Sequence, residues 1–224
     1  MCGRFTLTSD FTMIYKRFNI LKKIKLDYKP SYNIAPTQNV LVITKDEKEG
    51  NELRLMRWGL IPFWAKDMSI GSKMINARAE TLTEKPSFKH LLYKSRCLIL
   101  ADSFYEWQSI GTKKKAYRIL LKDALPFAMA GLYDKWVSPL GEEIYSCTII
   151  TTKSNSLIKQ IHDRMPVILN AKNEVLWLNL HSTLNLNSLL SSYAPEDMEY
   201  YEVSNYVNSP KHDTIECIKP IKNK

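Results

Sequence analysis

Cys2 directly follows the initiator methionine, and a small second residue generally permits removal of that methionine. The product would be a 1,2-aminothiol, with the α-amino group and the thiol on adjacent carbons. An α-amino group titrates near about 7.7–8.0, so a usable fraction is an unprotonated nucleophile at neutral pH. It can attack an aldehyde to give an imine. The thiol, with a reference pKa of about 8.5, can then add to the imine carbon and close a five-membered thiazolidine. A cysteine at position two is equally compatible with an unremarked chain terminus. Arg4, two residues on, places a fixed cation near the nucleophile, and Gly3 allows close backbone approach.

Four further constellations could supply chemistry. In Asn76-Ala77-Arg78-Ala79-Glu80-Thr81 an extended backbone would send Asn76 and Arg78 to one face, suited to a sugar oxygen and a phosphate. The same residues also read as a turn or helix cap at Asn76 with an Arg78–Glu80 pair. Glu106 stands among Phe104, Tyr105 and Trp107, where partial burial would raise its pKa toward a range useful for proton transfer, or alternation would leave it facing solvent. His162-Asp163-Arg164 sets an imidazole beside a carboxylate and a guanidinium, suitable for a tuned acid or base. His90, His181 and His212 read as structural. Arg57 to Trp64, with two tryptophans in a Pro/Gly-shaped loop, reads as a base-stacking platform or as a tryptophan-anchored core corner. Tyr32 to Thr37 reads as a rigid turn around Pro36.

These residues need elements to hold them. Apolar positions Phe11, Ile14, Tyr15, Phe18 and Leu21 predict an amphipathic helix from Asp10 to Lys25 after an N-terminal strand, capped by Ser9 or Asp10. Strands are predicted at Asn39 to Thr44, Glu52 to Trp58, Arg96 to Leu100, Ala116 to Leu121, Phe127 to Leu132 and Glu143 to Thr151. Shorter helices are predicted at Ser87 to Tyr93, Ser154 to Ile161, Ala171 to Leu178 and Leu184 to Ser192. Gly111-Thr112 reads as a hairpin tip whose three following lysines serve solubility more often than a phosphate contact. The elements do not alternate as βαβ units, so the expected fold is α+β, a single domain over 1–224 with a curved, largely antiparallel, barrel-like β-sheet and flanking helices.

Composition narrows the classes. Hydrophobic residues make up 45% and charged residues 25%, which excludes a disordered chain. No apolar run reaches membrane-spanning length and no signal-like h-region follows Met1, so no membrane partner is expected. Cys2, Cys97, Cys147 and Cys217 form no C-x-x-C pair; a reduced, cytoplasmic setting is expected, with Cys97 and Cys147 as core residues and no metal or cofactor. No P-loop or G-x-G-x-x-G is present. The net charge is +9, with 18 basic and 11 acidic residues in 1–112 against 14 and 12 in 113–224. That excess in the half containing Cys2 fits either a polyanionic partner or a solvated lysine-rich face.

Taken in order, Met1-Cys2-Gly3-Arg4-Phe5, Tyr32-Asn33-Ile34-Ala35-Pro36, Trp58-Gly59-Leu60-Ile61-Pro62-x-Trp64, Asn76-Ala77-Arg78-Ala79-Glu80-Thr81, Phe104-Tyr105-Glu106-Trp107 and His162-Asp163-Arg164-Met165-Pro166 resemble the SOS-response-associated peptidase (SRAP) family. The match in order and spacing runs from residue 1 to about residue 220. The resemblance implies covalent capture of abasic sites in single-stranded DNA by mature Cys2, through an imine and then a thiazolidine, which shields the lesion. It implies that Glu106 exchanges protons with the Cys2 amine, that His162 protonates the sugar oxygen during ring opening, and that Asn76 holds the sugar or the N-terminus. Arg4 and Arg78 would grip flanking phosphates, Trp64 would stack on a base, and Pro36 and Thr151 would shape the pocket. It also implies a side activity as an abasic-site lyase by β-elimination, and a peptidase activity that removes Met1. The chain is expected to act as a monomer. Some relatives carry a second tryptophan directly after the one matching Trp64; this chain has Ala65 there.

Two other classes share features with this reading. N-terminal-nucleophile glutaminases also begin Met-Cys-Gly, with the processed cysteine attacking an amide; they predict ammonia release from glutamine. A basic, non-covalent single-strand binding module predicts salt-sensitive binding that is indifferent to Cys2→Ala. Intact-mass spectrometry separates the capture reading from both. The purified chain should lack Met1 and gain the mass of an abasic oligonucleotide, whereas a variant with one uncleaved residue ahead of Cys2 should form no thiazolidine.

Overall fold

A computed structural model of the chain describes residues 2–22, 24–46, 50–180 and 186–221. The expected His181 and the first residues of the helix predicted from Leu184 lie outside the described residues. The strands are β1 (Phe5–Leu7), β2 (Ser31–Ile34), β3 (Asn39–Asp46), β4 (Gly50–Trp58), β5 (Asn76–Arg78), β6 (Arg96–Ala101), β7 (Ser103–Ile110), β8 (Lys113–Leu121), β9 (Phe127–Val137), β10 (Glu143–Lys153), β11 (Arg164–Pro166), β12 (Ile168–Leu169) and β13 (Met198–Val203). The helices are short: α1 (Phe11–Arg17), α2 (Pro86–Lys89), α3 (Leu91–Lys94) and α4 (Ala171–Leu178), joined by several 3₁₀ turns. No described helix is long and apolar enough to cross a membrane.

The strands β10, β4, β3, β6 and β9 pair in that order, and β9 pairs back with β10, closing a five-stranded barrel. Only β10 and β4 run parallel within it, with Ser146 opposite Arg57 and Cys147 opposite Trp58. Closure removes exposed edges, and a barrel this narrow fills with side chains. Val42, Ile43, Ile99, Leu132, Cys147 and Ile149 of these strands are buried, on one face or the other of the barrel wall. Gly131 is required there, because a Cβ would meet Ile99 at 2.8 Å and the Cys97 sulfur at 3.0 Å. Cys97 and Cys147 are therefore core thiols, as expected. A second sheet, β13-β8-β7-β1-β2, packs against the barrel. The α+β, barrel-like expectation holds.

Two contacts tie the sheets together near the chain's start. Trp58 is fully buried, its indole N–H donates to the Ile75 carbonyl at 2.9 Å, and Phe5 of β1 meets its ring edge-on at 5.0 Å. Ile75 also accepts from the Ile149 N–H at 3.1 Å, so β5 is delivered parallel to β10, with Asn76 opposite Ile149 and Arg78 opposite Thr151. Asp102, buried between β6 and β7, accepts from the Thr6 hydroxyl, from the Thr8 N–H and hydroxyl at 2.5 and 2.8 Å, and from the Ser9 N–H at 3.2 Å. Its own N–H donates to the Thr6 carbonyl at 2.9 Å. This carboxylate anchors β1.

The helix expected from Asp10 to Lys25 ends at Arg17. Asp10 caps it as foreseen, accepting from the Met13 N–H at 2.8 Å. The stop comes from Asn19, whose φ of 49° breaks the helical path while the Ile20 N–H turns back to the Tyr15 carbonyl at 3.1 Å. Leu21 is consequently exposed. The helix predicted at Ser154 to Ile161 is a run of turns, in which the Asn155 side chain accepts from the Ile158 N–H at 3.0 Å as a helix cap would, but no regular helix follows. The predicted Ser87 to Tyr93 helix breaks into α2 and α3, Ala171 to Leu178 matches α4, and Leu184 to Ser192 contains a 3₁₀ turn at Leu186–Leu189.

Replacing Asp102 by alanine strands the Thr6, Thr8 and Ser9 donors, so Asp102→Ala should lose about 2–4 kcal/mol of unfolding free energy, read from urea or guanidinium midpoints.

Candidate active site

The seam between the two sheets brings Cys2, Asn76, Glu106 and His162 into one connected set. Cys2 lies just ahead of β1 and is fully buried. Its carbonyl accepts from the Asn76 Nδ2–H at 2.8 Å, and its thiol approaches the Arg4 carbonyl at 4.0 Å. Burial, reinforced by the nearby Glu106 charge, pushes the thiol well above its ordinary range. The thiol is therefore protonated at neutral pH, and in the chain that carries Met1 the Cys2 nitrogen belongs to a peptide bond. Asn76 follows the extended reading, with Ala77 buried and Arg78 exposed. Its Oδ1 is buried and has no hydrogen-bond partner among the described residues, which leaves an acceptor beside Cys2.

Glu106 sits in β7 opposite Tyr117 and is 2% exposed. Burial raises its pKa to about 7, opposed in part by a hydrogen bond from the Trp107 N–H and supported by the Asp163 charge. The solvent-facing alternative for Glu106 is thus excluded. A carboxyl that titrates near neutrality can take up and return a proton. His162 follows the turns after β10. Its Nδ1 accepts from the Arg164 backbone N–H at 3.0 Å and lies 3.0 Å from Asp163 Oδ1. The Arg164 N–H favours a lone pair on Nδ1 and the Asp163 carboxylate favours a proton there, so the two contacts hold the ring in place while pulling its proton in opposite directions. Burial lowers the His162 pKa, which keeps the ring neutral at physiological pH.

Arg78, Lys153, Ser154, Lys159, His162, Asp163 and Arg164 line a groove of about 670 Å³. Arg78, Lys153 and Lys159 are exposed there, and their side chains form no hydrogen bond or ion pair with the described residues. Arg78 does not pair with Glu80; Arg164 does, at 2.6 and 3.0 Å. The result is a basic channel with His162 in its wall, suited to a phosphate backbone. Among the described residues no group of three His, Cys, Asp or Glu side chains could hold a metal ion.

The remaining predicted residues lie outside that connected set. Thr151 is buried beneath the groove, its hydroxyl 3.5 Å from the Ala77 carbonyl. Arg4 is half-buried: Nη1 donates to Asn33 Oδ1 at 2.8 Å and to the Val207 carbonyl at 2.9 Å, and the guanidinium lies 6.0 Å from the Trp107 ring. Pro36 begins a turn closed by the Gln38 N–H on the Ala35 carbonyl at 3.3 Å, with Thr37 at a φ of 75°. In the Arg57–Trp64 segment both readings are realised, since Trp58 is core while Phe63 and Trp64 are 61% and 50% exposed. His90 packs against Phe63 and His212 stacks on Tyr206 at 3.7 Å. Sequence reasoning did not single out Lys153, Lys159 or the pairing of Glu80. Lys153 ends the strand that contains Thr151, which was a readable signal; the partner of Glu80 lies 84 positions away and left none.

The family model for the SOS response associated peptidase (SRAP) matches residues 1–210. The chain is 56% identical over 223 residues to the abasic site processing protein YoqW of Bacillus subtilis, covering 98% of this chain and 99% of that one. It is 35% identical to the abasic site processing protein HMCES of Xenopus tropicalis over 87% of this chain and 67% of the relative. A crystal structure of a protein from Bacteroides thetaiotaomicron superposes with a TM-score of 0.89 at 31% identity, covering 99% of this chain and all of that one. The chain belongs to the SOS response associated peptidase family.

Proposed function

We propose that this protein processes abasic sites in DNA by covalent capture, with Cys2 as the nucleophile once Met1 is removed. The observation that carries the reading is the Asn76 hydrogen bond to the Cys2 carbonyl beside a buried Glu106 that titrates near neutrality. The names of the similar proteins point to the same lesion.

The ring-opened deoxyribose presents an aldehyde at C1′. As the hemiacetal ring opens, the protonated fraction of His162 gives its proton to the ring oxygen and returns to neutral imidazole, while the C1′ hydroxyl releases its proton to water. The Glu106 carboxylate takes a proton from the Cys2 ammonium, and the amine adds to C1′; loss of water leaves an imine. The Cys2 thiol then adds across the C=N bond, its proton passing to nitrogen, which closes the thiazolidine. One aldehyde and one aminothiol become one thiazolidine and one water. Burial favours the neutral thiol until this step, in which transfer of its proton to the basic imine nitrogen generates the nucleophilic sulfur.

Asn76 holds the terminus through its amide N–H, and its unfilled Oδ1 accepts from the liberated amine or a sugar hydroxyl. Arg78, Lys153 and Lys159 bind phosphates of a single strand, and Trp64 stacks on a base beyond them. Arg4, committed through Nη1 to Asn33 and Val207, holds the strand that follows Cys2, and with Nε buried it has Nη2 left for a flanking phosphate. Pro36 and Thr151 shape the approach. An imine at C1′ acidifies the adjacent carbon, so slow β-elimination accompanies capture, and the same acid–base pair serves cleavage of the Met1–Cys2 bond.

Cys2→Ala should abolish the denaturation-resistant adduct on an abasic single-stranded oligonucleotide, a loss of about 100-fold or more, while the affinity changes by no more than about twofold. An undiminished adduct in that variant contradicts the proposal. Glu106→Gln should flatten the rise in capture rate that the parent shows as pH passes about 7. Its stability should move the opposite way. The raised pKa means that the folded chain keeps a proton the unfolded chain releases above its ordinary value of 4.5, so burial of Glu106 costs stability as pH rises from 4.5 to about 7. Above that window Glu106→Gln should be more stable than the parent by up to about 3 kcal/mol, measured by denaturation at pH 8 against pH 4.

A further inference from the structure

Arg164 lines the basic groove, yet its guanidinium is already committed. Nη1 and Nη2 donate to the two Glu80 carboxylate oxygens at 2.6 and 3.0 Å, and Nη2 also donates to the Thr151 carbonyl at 2.6 Å and its hydroxyl at 3.3 Å. The Arg164 side chain is only 11% exposed. This two-pronged, planar geometry distinguishes the pair from ordinary surface ion pairs, which contribute little. The hydrogen bond from Arg164 holds the Glu80 carboxyl below its usual range.

The backbone N–H of the same arginine donates to His162 Nδ1. One residue thus fastens three pieces of chain: its main chain fixes the imidazole, Thr151 ties it to β10, and Glu80 ties it to the 3₁₀ turn Ala79–Thr81 that continues directly from β5. Since β5 carries Asn76 and Arg78, the clamp spans from the acid–base histidine to the residue that holds Cys2.

We propose that Glu80 is a positioning residue for the capture reaction, acting through Arg164 to set His162 against Asn76; this rests on the function proposed above. A carboxylate at the rim of a groove for a polyanion opposes binding, so its presence calls for a separate reason. The two roles predict opposite signs. If Glu80 only neutralises a surface cation, deleting it releases Arg164 to a phosphate, and capture holds or improves. If Glu80 positions the site, deletion leaves binding equal or tighter while the covalent step slows.

The test measures two quantities for the full chain: the single-turnover adduct rate at saturating abasic single-stranded oligonucleotide, and the Kd for an undamaged oligonucleotide of the same sequence. Glu80→Ala should slow the saturated rate by about tenfold or more, as expected for a displaced catalytic group, with Kd unchanged or lower. Glu80→Gln, which keeps one oxygen to accept from the guanidinium, should recover part of the rate, and it carries the test if the alanine variant loses its cooperative melt. A parental rate in Glu80→Ala, equal losses in both variants, or a loss seen only in Kd would overturn the proposal while parental capture leaves the underlying function standing. Absence of adduct in the parent would overturn both.

Discussion

The hydrogen bond from the Asn76 amide to the Cys2 carbonyl joins two pieces of backbone that belong to different sheets. Everything chemical in the molecule depends on that junction. Asn76 is delivered by β5, which is held against β10 by three residues of parallel pairing and by the Ile75 carbonyl shared between Trp58 and Ile149. Cys2 is delivered by β1, held between β2 and β7 and anchored by Asp102. The closed barrel is the rigid body on one side of the junction and the second sheet is the rigid body on the other. Asn76 and Glu106 are strand residues, and Cys2 and His162 lie within three residues of a strand, so the site is set largely by packing of two such bodies.

The electrostatics follow from the same burial. Glu106 and the Cys2 thiol lie where water is largely excluded, and both are driven toward their neutral forms. A buried carboxyl that titrates near neutrality weakens the fold at physiological pH, which is the pattern expected of a functional group. The cations of the groove, by contrast, lie at the surface: the side chains of Arg78, Lys153 and Lys159 face it with no partner among the described residues, while Arg164 is paired with Glu80. The dry reacting centre and the wet phosphate track thus abut at His162, which is partly exposed and belongs to both.

Much of this was readable in the residue order, and the exceptions have physical causes. β7, eight residues that include Glu106, was not among the predicted strand ranges, while six other long strands stand out because β-branched and aromatic runs are bounded by turns; five form the barrel and the sixth, Ala116 to Leu121, lies in β8. Short strands did not. β5, β11 and β12 have two or three residues each, too few for a period, and exist because β10 and β9 offer them a hydrogen-bonding edge. β13 lies in a tail without evident pattern and is recruited by β8 over six paired residues. The α1 end turned on one left-handed asparagine that apolar spacing does not register. At the site, residue types alone left Glu106 open between buried and solvent-facing, and Asn76 between strand and cap; tertiary context decided both. The order and spacing of six motifs identified the family, but Arg4 shows what such motifs omit. Its contacts to Asn33 and Val207 make it a strut of β1 as well as a cation.

The central claim is that nitrogen and sulfur of one residue end on one sugar carbon. Tandem mass spectrometry of a nuclease- and trypsin-digested adduct reads this directly. The account predicts a deoxyribose remnant on the peptide Cys2-Gly3-Arg4, with the amine resistant to acylation and the sulfur resistant to alkylation. A remnant on a lysine, or on Cys2 with its sulfur still open to alkylation, would contradict it.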